Sequence, residues 1–338
     1  MKFKINKKKL PYFIAEISAN HKGSILHAKK LIKLAKNSGA DAVKLQTYSP
    51  SSMTLNSKKK FFKIDKKKWG SSFLWDLYER AKTPLSWHKE LFNYSKKLRI
   101  LCFSTPFDLD NVDELEKLNC PIYKISSFEN NHFPLLKRLA QTKKPLIMST
   151  GISNIEQIAN SVNFLRRNNC GKLHLLYCVS NYPSNVEDFN LKNILVLKKK
   201  FKLDVGFSDH SKDDFVSYIA VDRGAKIIEK HITTDNHAID AEFSKKTNEL
   251  KLYIQNLKKI NFLNNKKNYF LPKKNTGKKF QRSIFVTQNL NIGDRIKPNN
   301  IRAVRPNNGI DASKYFSIIG KKIKKQIKKN SPLKKSHI

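Results

Sequence analysis

The stretch Leu146-Ile-Met-Ser-Thr-Gly151 decides the fold, because it is a short apolar run that ends in small polar residues. Seven other runs of this kind occur, at Tyr12–Ile17, Ala42–Leu45, Ile100–Phe103, Ile122–Ile125, Leu173–Cys178, Val205–Phe207 and Ile227–Ile228. Such short runs, most of them rich in β-branched or aromatic residues, are typical of strands that are buried on both faces. The sequence therefore predicts eight strands of a parallel sheet.

Segments with helical spacing separate these runs. They are Ile25–Asn37, Trp87–Leu98, Leu109–Leu118, Phe133–Gln141, Ile155–Arg167, Leu191–Phe201 and Phe215–Asp222. Strands that alternate with helices run parallel and are joined by crossovers. Eight such units in about 250 residues fit a closed (β/α)8 TIM barrel, whereas an open doubly wound sheet usually has about six strands. The 11 glycines form no dinucleotide-binding or P-loop motif, so those two chemistries have no sequence support.

The chain divides at a segment rich in Lys, Asn, Pro and Gly. We expect a barrel in residues 1–265, a linker in residues 266–280 and a small C-terminal domain in residues 281–338. In that domain, the apolar runs Ser283–Val286 and Ile301–Val304 indicate strands. The lysine run Lys321–Lys329 contains Ile323 and Ile327, which we expect to be packed inside.

One connection of the predicted barrel is unusually long. Ser49–Thr83 lies between the second and third strands and contains the basic stretch Lys58–Lys68. We expect this insertion to form either a lid or an additional helical cover.

The chain of 338 residues is strongly basic, with 67 Lys+Arg against 27 Asp+Glu and a formal net charge of +40. Clustered basic residues favour nucleic-acid binding, because they displace counterions from phosphates. Only 10 of the 67 are Arg, however, which favours the codon bias of an AT-rich genome. Residues 266–338 hold 20 basic and 2 acidic side chains, so a nucleic-acid-binding protein with an inactive barrel remains an alternative of another class.

Cysteine content and hydropathy bear on location. The four cysteines are too few and too widely spaced for a disulfide scaffold, and no C-x-x-C pair suggests a zinc site. No apolar stretch reaches the length of a signal sequence or a membrane span. We therefore expect a cytoplasmic protein without membrane partners, and its 39% hydrophobic content is enough for a sizeable core.

Polar side chains follow all eight predicted strands at their carboxyl ends, where a TIM barrel carries its site. The candidates are Glu16, Lys44, Gln46, Thr105, Lys124, Ser127, Glu129, Ser149, Ser180, Tyr182, Ser208, His210 and His231. Lys44 and Lys124 are the most informative, because a lysine inside an apolar strand is costly without an anionic partner. They predict a site for phosphate or carboxylate groups. The alternative is a structural role, in which each lysine pairs with a neighbouring acid such as Glu16 or Glu129.

His210 and His231 end consecutive strands, so their imidazoles come within reach of a single divalent ion. A single histidine at a barrel mouth is more often an ordinary hydrogen-bonding residue. Two histidines on adjacent strands, each close to an acid in the sequence, favour a metal site. Glu16 faces the same space, either as a third ligand or as an acid/base.

Seven motifs, in order along the chain, resemble those of the sialic acid synthase family. They are Ile14-Ala-Glu-Ile-Ser-Ala-Asn-His21, Val43-Lys-Leu-Gln-Thr47, Ser104-Thr-Pro-Phe-Asp108, Tyr123-Lys-Ile-Ser-Ser-Phe-Glu129, Ser149-Thr-Gly151, Gly206-Phe-Ser-Asp-His210 and Glu229-Lys-His231. The resemblance covers almost the whole chain, from about Tyr12 to Leu333. Arg282-Ser283, Ile292-Gly-Asp294 and Val304-Arg-Pro306 are similar to the antifreeze-like (SAF) domain that follows the TIM barrel in that family.

Members of that family condense phosphoenolpyruvate with an amino-sugar aldehyde, which gives a nine-carbon 2-keto acid and phosphate. The resemblance implies that His210 and His231 hold a divalent metal, Mn²⁺ or Mg²⁺, that polarises the aldehyde, and that Glu16 is the acid/base. Positions that bind phosphoenolpyruvate are matched by Lys44, Thr105, Lys124, Ser127, Ser149, Tyr182 and Ser208. Positions that face the six-carbon amino sugar are matched by Gln46, Glu129 and Asp240.

The resemblance also bears on assembly and on the sugar. Arg305 matches an arginine that the SAF domain contributes to the active site of the other subunit, which implies a domain-swapped homodimer. Asp240-Ala-Glu-Phe-Ser244 resembles the pseudaminate-type pattern, whereas the neuraminate type carries Lys or His followed by Ser-Leu. Ser180 stands where the neuraminate type usually has Asn. A pseudaminate-type sugar is therefore favoured, with the neuraminate and legionaminate types as alternatives.

Overall fold

The structure, a computed structural model, describes residues 3, 5, 10–264 and 276–338. It divides the chain into two compact units, residues 1–266 and 267–338. Of the predicted linker 266–280, residues 266–275 lie outside the described residues, and Thr276–Phe280 forms a 3₁₀ helix. Every helix in the described ranges is too short or too polar to cross a membrane.

The first unit is a closed barrel of parallel strands. The strands are β1 (Tyr12–Glu16), β2 (Ala42–Thr47), β3 (Leu101–Pro106), β4 (Tyr123–Ile125), β5 (Leu146–Ser149), β6 (Leu173–Tyr177), β7 (Asp204–Asp209) and β8 (Ile227–Thr233). Each strand pairs with the next one along the chain, and β8 also pairs with β1, which closes the barrel. The predicted (β/α)8 TIM barrel is therefore confirmed. A short strand, β9 (Lys245–Lys246), adds to the end of β8.

Helices connect the strands. Those of the first unit are α1 (Ile25–Asn37), α2 (Pro50–Met53), α3 (Lys66–Trp69), α4 (Leu74–Ala81), α5 (Leu85–Lys97), α6 (Leu109–Lys117), α7 (Phe133–Gln141), α8 (Ile155–Arg167), α9 (Asn193–Phe201), α10 (Asp214–Asp222) and α11 (Thr247–Asn264). The bounds of α1, α7 and α8 are those that the sequence predicted. The sequence did not predict α11.

Capping residues fix where the loops at the barrel mouth end. Ser24 precedes α1 and accepts a hydrogen bond of 3.3 Å from the backbone N–H of His27. Asn154 precedes α8 and forms a capping box with Gln157, in which each side chain accepts from the other residue's backbone N–H. The loops after β1 and β5 are therefore anchored where the following helix begins.

The insertion Ser49–Thr83 folds as a helical cover that contains α2, α3 and α4. Gly70 ends α3 with a φ of 65°, a left-handed conformation that glycine adopts without strain. Arg80 of α4 donates hydrogen bonds to the carbonyl oxygens of Gly70, at 3.1 Å, and of Trp69. This guanidinium therefore ties the end of α3 to α4.

The second unit has its own core. It contains the antiparallel strands β10 (Ser283–Val286) and β11 (Ile301–Val304) and the short helix α12 (Tyr315–Ile318). Ile323 and Ile327 are 1% and 3% exposed and belong to a cluster with Ile284, Val286 and Leu333. The lysine run therefore packs through its two isoleucines, as the sequence predicted.

Candidate active site

A network of buried ion pairs lies across the barrel mouth. The Nζ of Lys44 lies 2.5 Å from Glu16 Oε2 and 3.7 Å from Glu229 Oε1. The Nζ of Lys124 lies 3.5 Å from the same Glu229 Oε1. Thr105 accepts a hydrogen bond of 3.2 Å from Lys44. The two predicted lysines therefore share one site, with the Glu229 carboxylate between them.

The alternation of side chains along β7 and β8 explains this arrangement. The lysine partners of Glu229 come from β2 and β4, which do not neighbour β8, so its side chain lies inside the barrel. Ser208 on β7 donates a hydrogen bond of 3.0 Å to Glu229 Oε1. The next residue on each strand points the other way. Asp209 and Lys230 form a second ion pair of 3.2 Å there, and Asp209 also accepts from Ser217 of α10.

The two carboxyl groups of the network have opposite shifts in pKa. Burial raises the pKa of Glu16, although Lys44 opposes this. Burial acts in the same direction on Glu229, but the ammonium groups of Lys124 and Lys44 outweigh it and hold the pKa of Glu229 below its usual value. Environments that push two pKa values apart suit the groups to different roles. Glu229 stays a carboxylate, whereas Glu16 is able to exchange a proton.

The two lysines are also unequal. Burial acts to lower the pKa of Lys44, but Glu16 and Glu229 overcome it and raise that pKa. For Lys124, burial prevails and the pKa is lowered. Lys44 thus has the acid partner that the structural interpretation predicted. The negative charge near Lys124 does not offset its burial, so a bound phosphate or carboxylate would favour its ammonium form.

A niche of small side chains lies at the ends of β4, β5 and β6. The backbone N–H of Gly151 donates a hydrogen bond of 3.0 Å to Ser127 Oγ, which lies 3.2 Å from Cys178 Sγ. A Cβ added at Gly151 would lie 2.3 Å from Ser180 Oγ, so any larger residue would displace the side chains of the niche. Within the described part of the chain, the buried Ser149 Oγ has no hydrogen-bond partner. Its hydroxyl is therefore available to a bound anion.

His210 and His231 face each other, with ring centroids 5.5 Å apart. The Nδ1 of His210 lies 3.0 Å from the carbonyl oxygen of Val179, and the Nδ1 of His231 lies 3.3 Å from Asp240 Oδ2. Both contacts favour a proton on Nδ1, which leaves Nε2 free to bind a metal. Burial, reinforced by His231, lowers the pKa of His210 to about 3, so its imidazole is neutral. The pair fits a divalent metal ion.

Glu16 does not join the histidines as a ligand. Across the residues that the structure describes, no group of three or more His, Cys, Asp or Glu side chains is placed to hold a metal ion. The carboxylate of Glu16 is instead held by Lys44 and by the backbone N–H of Ser18, which donates to Oε1 over 3.0 Å. The pairing of Glu16 with Lys44 favours the acid/base interpretation over the third-ligand interpretation.

Asp240 connects the loops that follow β1 and β8. Its Oδ2 accepts a hydrogen bond of 3.4 Å from the backbone N–H of Ala19, and its own N–H donates over 3.3 Å to Asn20 Oδ1. The same Oδ2 faces His231. This carboxylate faces the imidazole and also lines a cavity at the barrel mouth.

A cavity of about 320 Å³ lies at the barrel mouth. Gln46, Tyr182 and Asp240 line it, and the Tyr182 ring packs 4.5 Å from that of His210. Glu129, the remaining residue predicted to face the sugar, accepts a hydrogen bond from Ser126, whose side chain lines the cavity. Burial raises the pKa of Glu129 to about 7.

Arg305 belongs to the second unit, directly after β11, and is exposed. All other predicted site residues lie in the first unit, at the carboxyl ends of the barrel strands or in the loops that follow them. A contribution of Arg305 to an active site remains a prediction.

Two parts of the site were given no role by the sequence analysis. Glu229 was not singled out, although the argument applied to Lys44 holds for it too, because a carboxylate next to Ile228 in an apolar strand is costly without a partner. The insertion residues that line the cavity, Trp69 and Leu77 among them, carry no such signal. An apolar residue in a long connection does not indicate which surface it covers.

Comparison with known proteins shows the family of the chain. Residues 31–269 match the NeuB family, and residues 281–338 match the SAF domain. The chain is 40% identical to pseudaminic acid synthase of Helicobacter pylori over 96% of each chain. It is 35% identical to N,N'-diacetyllegionaminic acid synthase of Campylobacter jejuni, over 94% of this chain and 97% of that one.

Solved structures give the same result. The crystal structure of N-acetylneuraminic acid synthetase from Leptospira borgpetersenii, in complex with citrate, matches with a TM-score of 0.70 at 30% identity. The match covers 79% of this chain and 88% of that one. The resemblance to sialic acid synthases and the predicted SAF domain are confirmed. The chain belongs to the NeuB family, with a TIM barrel followed by a SAF domain.

Proposed function

We propose that the chain catalyses the pseudaminic acid synthase reaction. Phosphoenolpyruvate, 2,4-diacetamido-2,4,6-trideoxy-altrose and water would give pseudaminic acid and phosphate, so the enzyme is a transferase. The observation that carries the proposal is the buried network of Lys44, Glu229 and Lys124 beside the paired histidines. Identity of 38% to 40% with three pseudaminic acid synthases over nearly the full length supports this sugar.

Lys44 and Lys124 bind the anionic groups of phosphoenolpyruvate in this proposal. Their ammonium groups are buried, so their attraction to carboxylate and phosphate is screened little by water. Ser149 offers a hydroxyl without a partner among the described residues, and Gly151 leaves room for a close approach of the substrate. Glu229 helps to keep Lys44 charged before the substrate arrives, and at Lys124 it opposes the effect of burial.

Glu16 moves the protons of the reaction. Carbon 3 of phosphoenolpyruvate attacks the aldehyde carbon, water adds to carbon 2, and the resulting tetrahedral intermediate loses phosphate by cleavage of its C–O bond. The former aldehyde oxygen gains a proton and the water loses one, so one group able to donate and accept serves both steps. The raised pKa of Glu16 suits it to this exchange, and Lys44 holds its carboxyl group in place.

His210 and His231 hold the metal, for which we propose Mn²⁺ or Mg²⁺. When bound there, a divalent ion supplies Lewis-acid polarisation of the sugar aldehyde. Asp240 and the carbonyl group of Val179 orient the two imidazoles through Nδ1.

We further propose a domain-swapped homodimer in the cytoplasm, in which Arg305 of each subunit reaches the site of the other. The SAF domain and the motif around Arg305 support the domain-swapped homodimer. All four cysteines are free, which is consistent with a reducing compartment.

Phosphate release from phosphoenolpyruvate tests the proposed function. The assay is run with and without Mn²⁺, using the diacetamido-trideoxy-altrose, the sugar of the legionaminate type and N-acetylmannosamine. Release is expected only with sugar and metal, and most rapidly with the altrose derivative. Absence of sugar-dependent release with all three sugars would refute the function, and faster release with another sugar would replace the substrate.

A further inference from the structure

The insertion Ser49–Thr83 supplies the apolar side of the cavity. Its lining side chains include Ile64, Trp69, Leu74 and Leu77, which we call the apolar roof. The rest of the lining comes from the barrel strands and their loops, and it combines polar side chains such as Gln46, His231 and Asp240 with apolar ones such as Phe107 and Phe243. A ligand in this cavity therefore meets the hydrogen-bonding groups of the cavity on the barrel and meets aliphatic side chains from the insertion.

Burial and hydrogen bonds within the insertion hold the apolar roof in place. Leu77 of α4 is 8% exposed. The backbone N–H of Ile64 donates a hydrogen bond of 2.9 Å to the carbonyl oxygen of Ser72. Arg80 joins α4 to the end of α3, which carries Trp69. The roof residues are thus held together by backbone contacts within the insertion.

Such a surface discriminates between sugars. The side chains of Ile64, Leu74 and Leu77 carry no hydrogen-bonding group, so a sugar hydroxyl beneath them loses water without gaining a partner. A methyl group in the same place is removed from water at a gain of about 25 cal/mol for each Å² of apolar surface. N-acetylmannosamine has hydroxyls at carbons 4 and 6, where the diacetamido-trideoxy sugar has an acetamido group and a methyl carbon.

We propose that the apolar roof determines sugar specificity, by covering the carbon 6 methyl group and an acetamido methyl group of the substrate. The inference rests on the proposed function and deepens it, because it names the residues that distinguish a deoxygenated sugar from a fully hydroxylated one. The polar side chains of the barrel bind the reacting end of the sugar, and the apolar roof contacts its distal end.

Leu74→Asn and Ile64→Asn test the roof, with Leu55→Asn as the matched control. Leu55 lies in the same insertion, is 70% exposed and is not among the residues that line the cavity. We measure kcat/KM for the diacetamido sugar and for N-acetylmannosamine, the KM for phosphoenolpyruvate, and the thermal unfolding of each variant. The two roof variants are expected to lose roughly 10- to 100-fold in kcat/KM for the diacetamido sugar. In both variants, the ratio of kcat/KM between the two sugars should shift toward N-acetylmannosamine. The KM for phosphoenolpyruvate should stay unchanged.

The control Leu55→Asn is expected to keep the wild-type ratio. An unchanged ratio in both folded roof variants overturns the inference, as does an equal shift in Leu55→Asn. Calorimetric titration of the two sugars separates this failure from failure of the proposed function. If the wild-type enzyme turns over no sugar, the proposed function fails. A binding preference for the diacetamido sugar that Leu74→Asn abolishes would still support the roof, and equal binding of both sugars to the wild type would overturn it.

Discussion

Glu229 sets the electrostatics of the barrel mouth. Its Oε1 lies 3.7 Å and 3.5 Å from two buried ammonium groups and accepts a hydrogen bond from Ser208. A buried charge pair contributes little net stability, but the loss of one partner leaves an uncompensated charge. In the proposed reaction, an incoming anion takes over part of this compensation. Replacement of Glu229 should therefore lower the stability of the fold while the two lysines stay available to a bound anion.

Glu229→Gln is expected to lower the free energy of unfolding by about 3 to 5 kcal/mol, because Lys44 and Lys124 lose their shared carboxylate. Phosphoenolpyruvate should restore more stability to this variant than it adds to the wild type. Urea unfolding with and without the substrate measures both effects. The control is Asp209→Asn, which breaks the ion pair on the other side of the strands. Equal stabilisation of the two variants by phosphoenolpyruvate would contradict the assigned anion site.

His231→Ala is expected to abolish metal-dependent turnover and to weaken Mn²⁺ binding, because one of two imidazole ligands is lost. The cooperative unfolding transition should remain, since this side chain faces the cavity. Calorimetric titration with Mn²⁺ and phosphate release measure the two effects. His237→Ala, on the exposed part of the loop after β8, is the control and should retain both. Full activity of His231→Ala would refute the metal assignment.

Glu129 should make stability depend on pH. Burial raises its pKa from 4.5 to about 7, so between these values the folded chain keeps a proton that the unfolded chain has released. Stability therefore falls as the pH rises through this window, by up to about 3 kcal/mol. Denaturant unfolding at pH 5 and pH 8 is compared for the wild type and Glu129→Gln. The variant is expected to lack this loss at pH 8, and parallel profiles would disprove the effect.

At the scale of elements, the small-residue niche after β4, β5 and β6 depends on close approach of the chain. Gly151→Ala would place a Cβ 2.3 Å from Ser180 Oγ and 2.8 Å from Cys178 Sγ. We expect kcat/KM for phosphoenolpyruvate to fall about 10- to 100-fold, because displaced groups no longer match the bound anion. Steady-state kinetics at saturating sugar measure this.

The control for Gly151→Ala is Gly171→Ala, before β6 at the other end of the barrel. A Cβ there would lie 2.2 Å from the carbonyl oxygen of Lys144, a backbone atom, so the steric conflict is at least as severe. This second variant should lose stability but keep its kinetic constants for phosphoenolpyruvate. A similar kinetic loss in both would argue against a specific role of the niche.

The bounds of α1, α7 and α8 could be predicted because the helical periodicity of their apolar residues is enough to define them. The last strand was predicted as Ile227–Ile228, but β8 continues to Thr233. Its polar residues end the apolar run in the sequence, whereas in the fold Glu229 and Lys230 are buried in ion pairs. Helix α11 was missed although its buried Leu250, Tyr253, Ile254 and Leu257 have helical spacing.

For the whole molecule, the proposed swapped dimer predicts complementation between inactive variants. Glu16→Gln should be inactive, and Arg305→Ala should weaken sugar use more than phosphoenolpyruvate binding. In a mixed dimer, one site would combine the intact Glu16 with the partner subunit's Arg305. Mixing the two variants after mild dissociation is expected to restore sugar-dependent phosphate release, and the unmixed variants are the controls. Activity no higher than their average would contradict the exchange of Arg305.

The basic character of the chain is a property of its surface more than of its site. Lys44 and Lys124 are buried at the barrel mouth. In the second unit, the lysines around Ile323 and Ile327 are exposed while the isoleucines are packed. Solvated lysines of this kind are consistent with compositional bias, and the family gives the barrel a catalytic explanation that nucleic-acid binding does not supply.

The sequence by itself determined the barrel and the SAF domain, and it predicted which residues lie at the barrel mouth. Alternating strand and helix patterns are local, and in a TIM barrel the carboxyl ends of all strands meet, so order along the chain was enough to place these residues together. Tertiary structure alone decided that Lys44 and Lys124 share Glu229, that Glu16 pairs with Lys44, and which side chains of the insertion line the cavity. These are contacts between segments far apart in the chain, and they depend on distances across the barrel that no local pattern encodes.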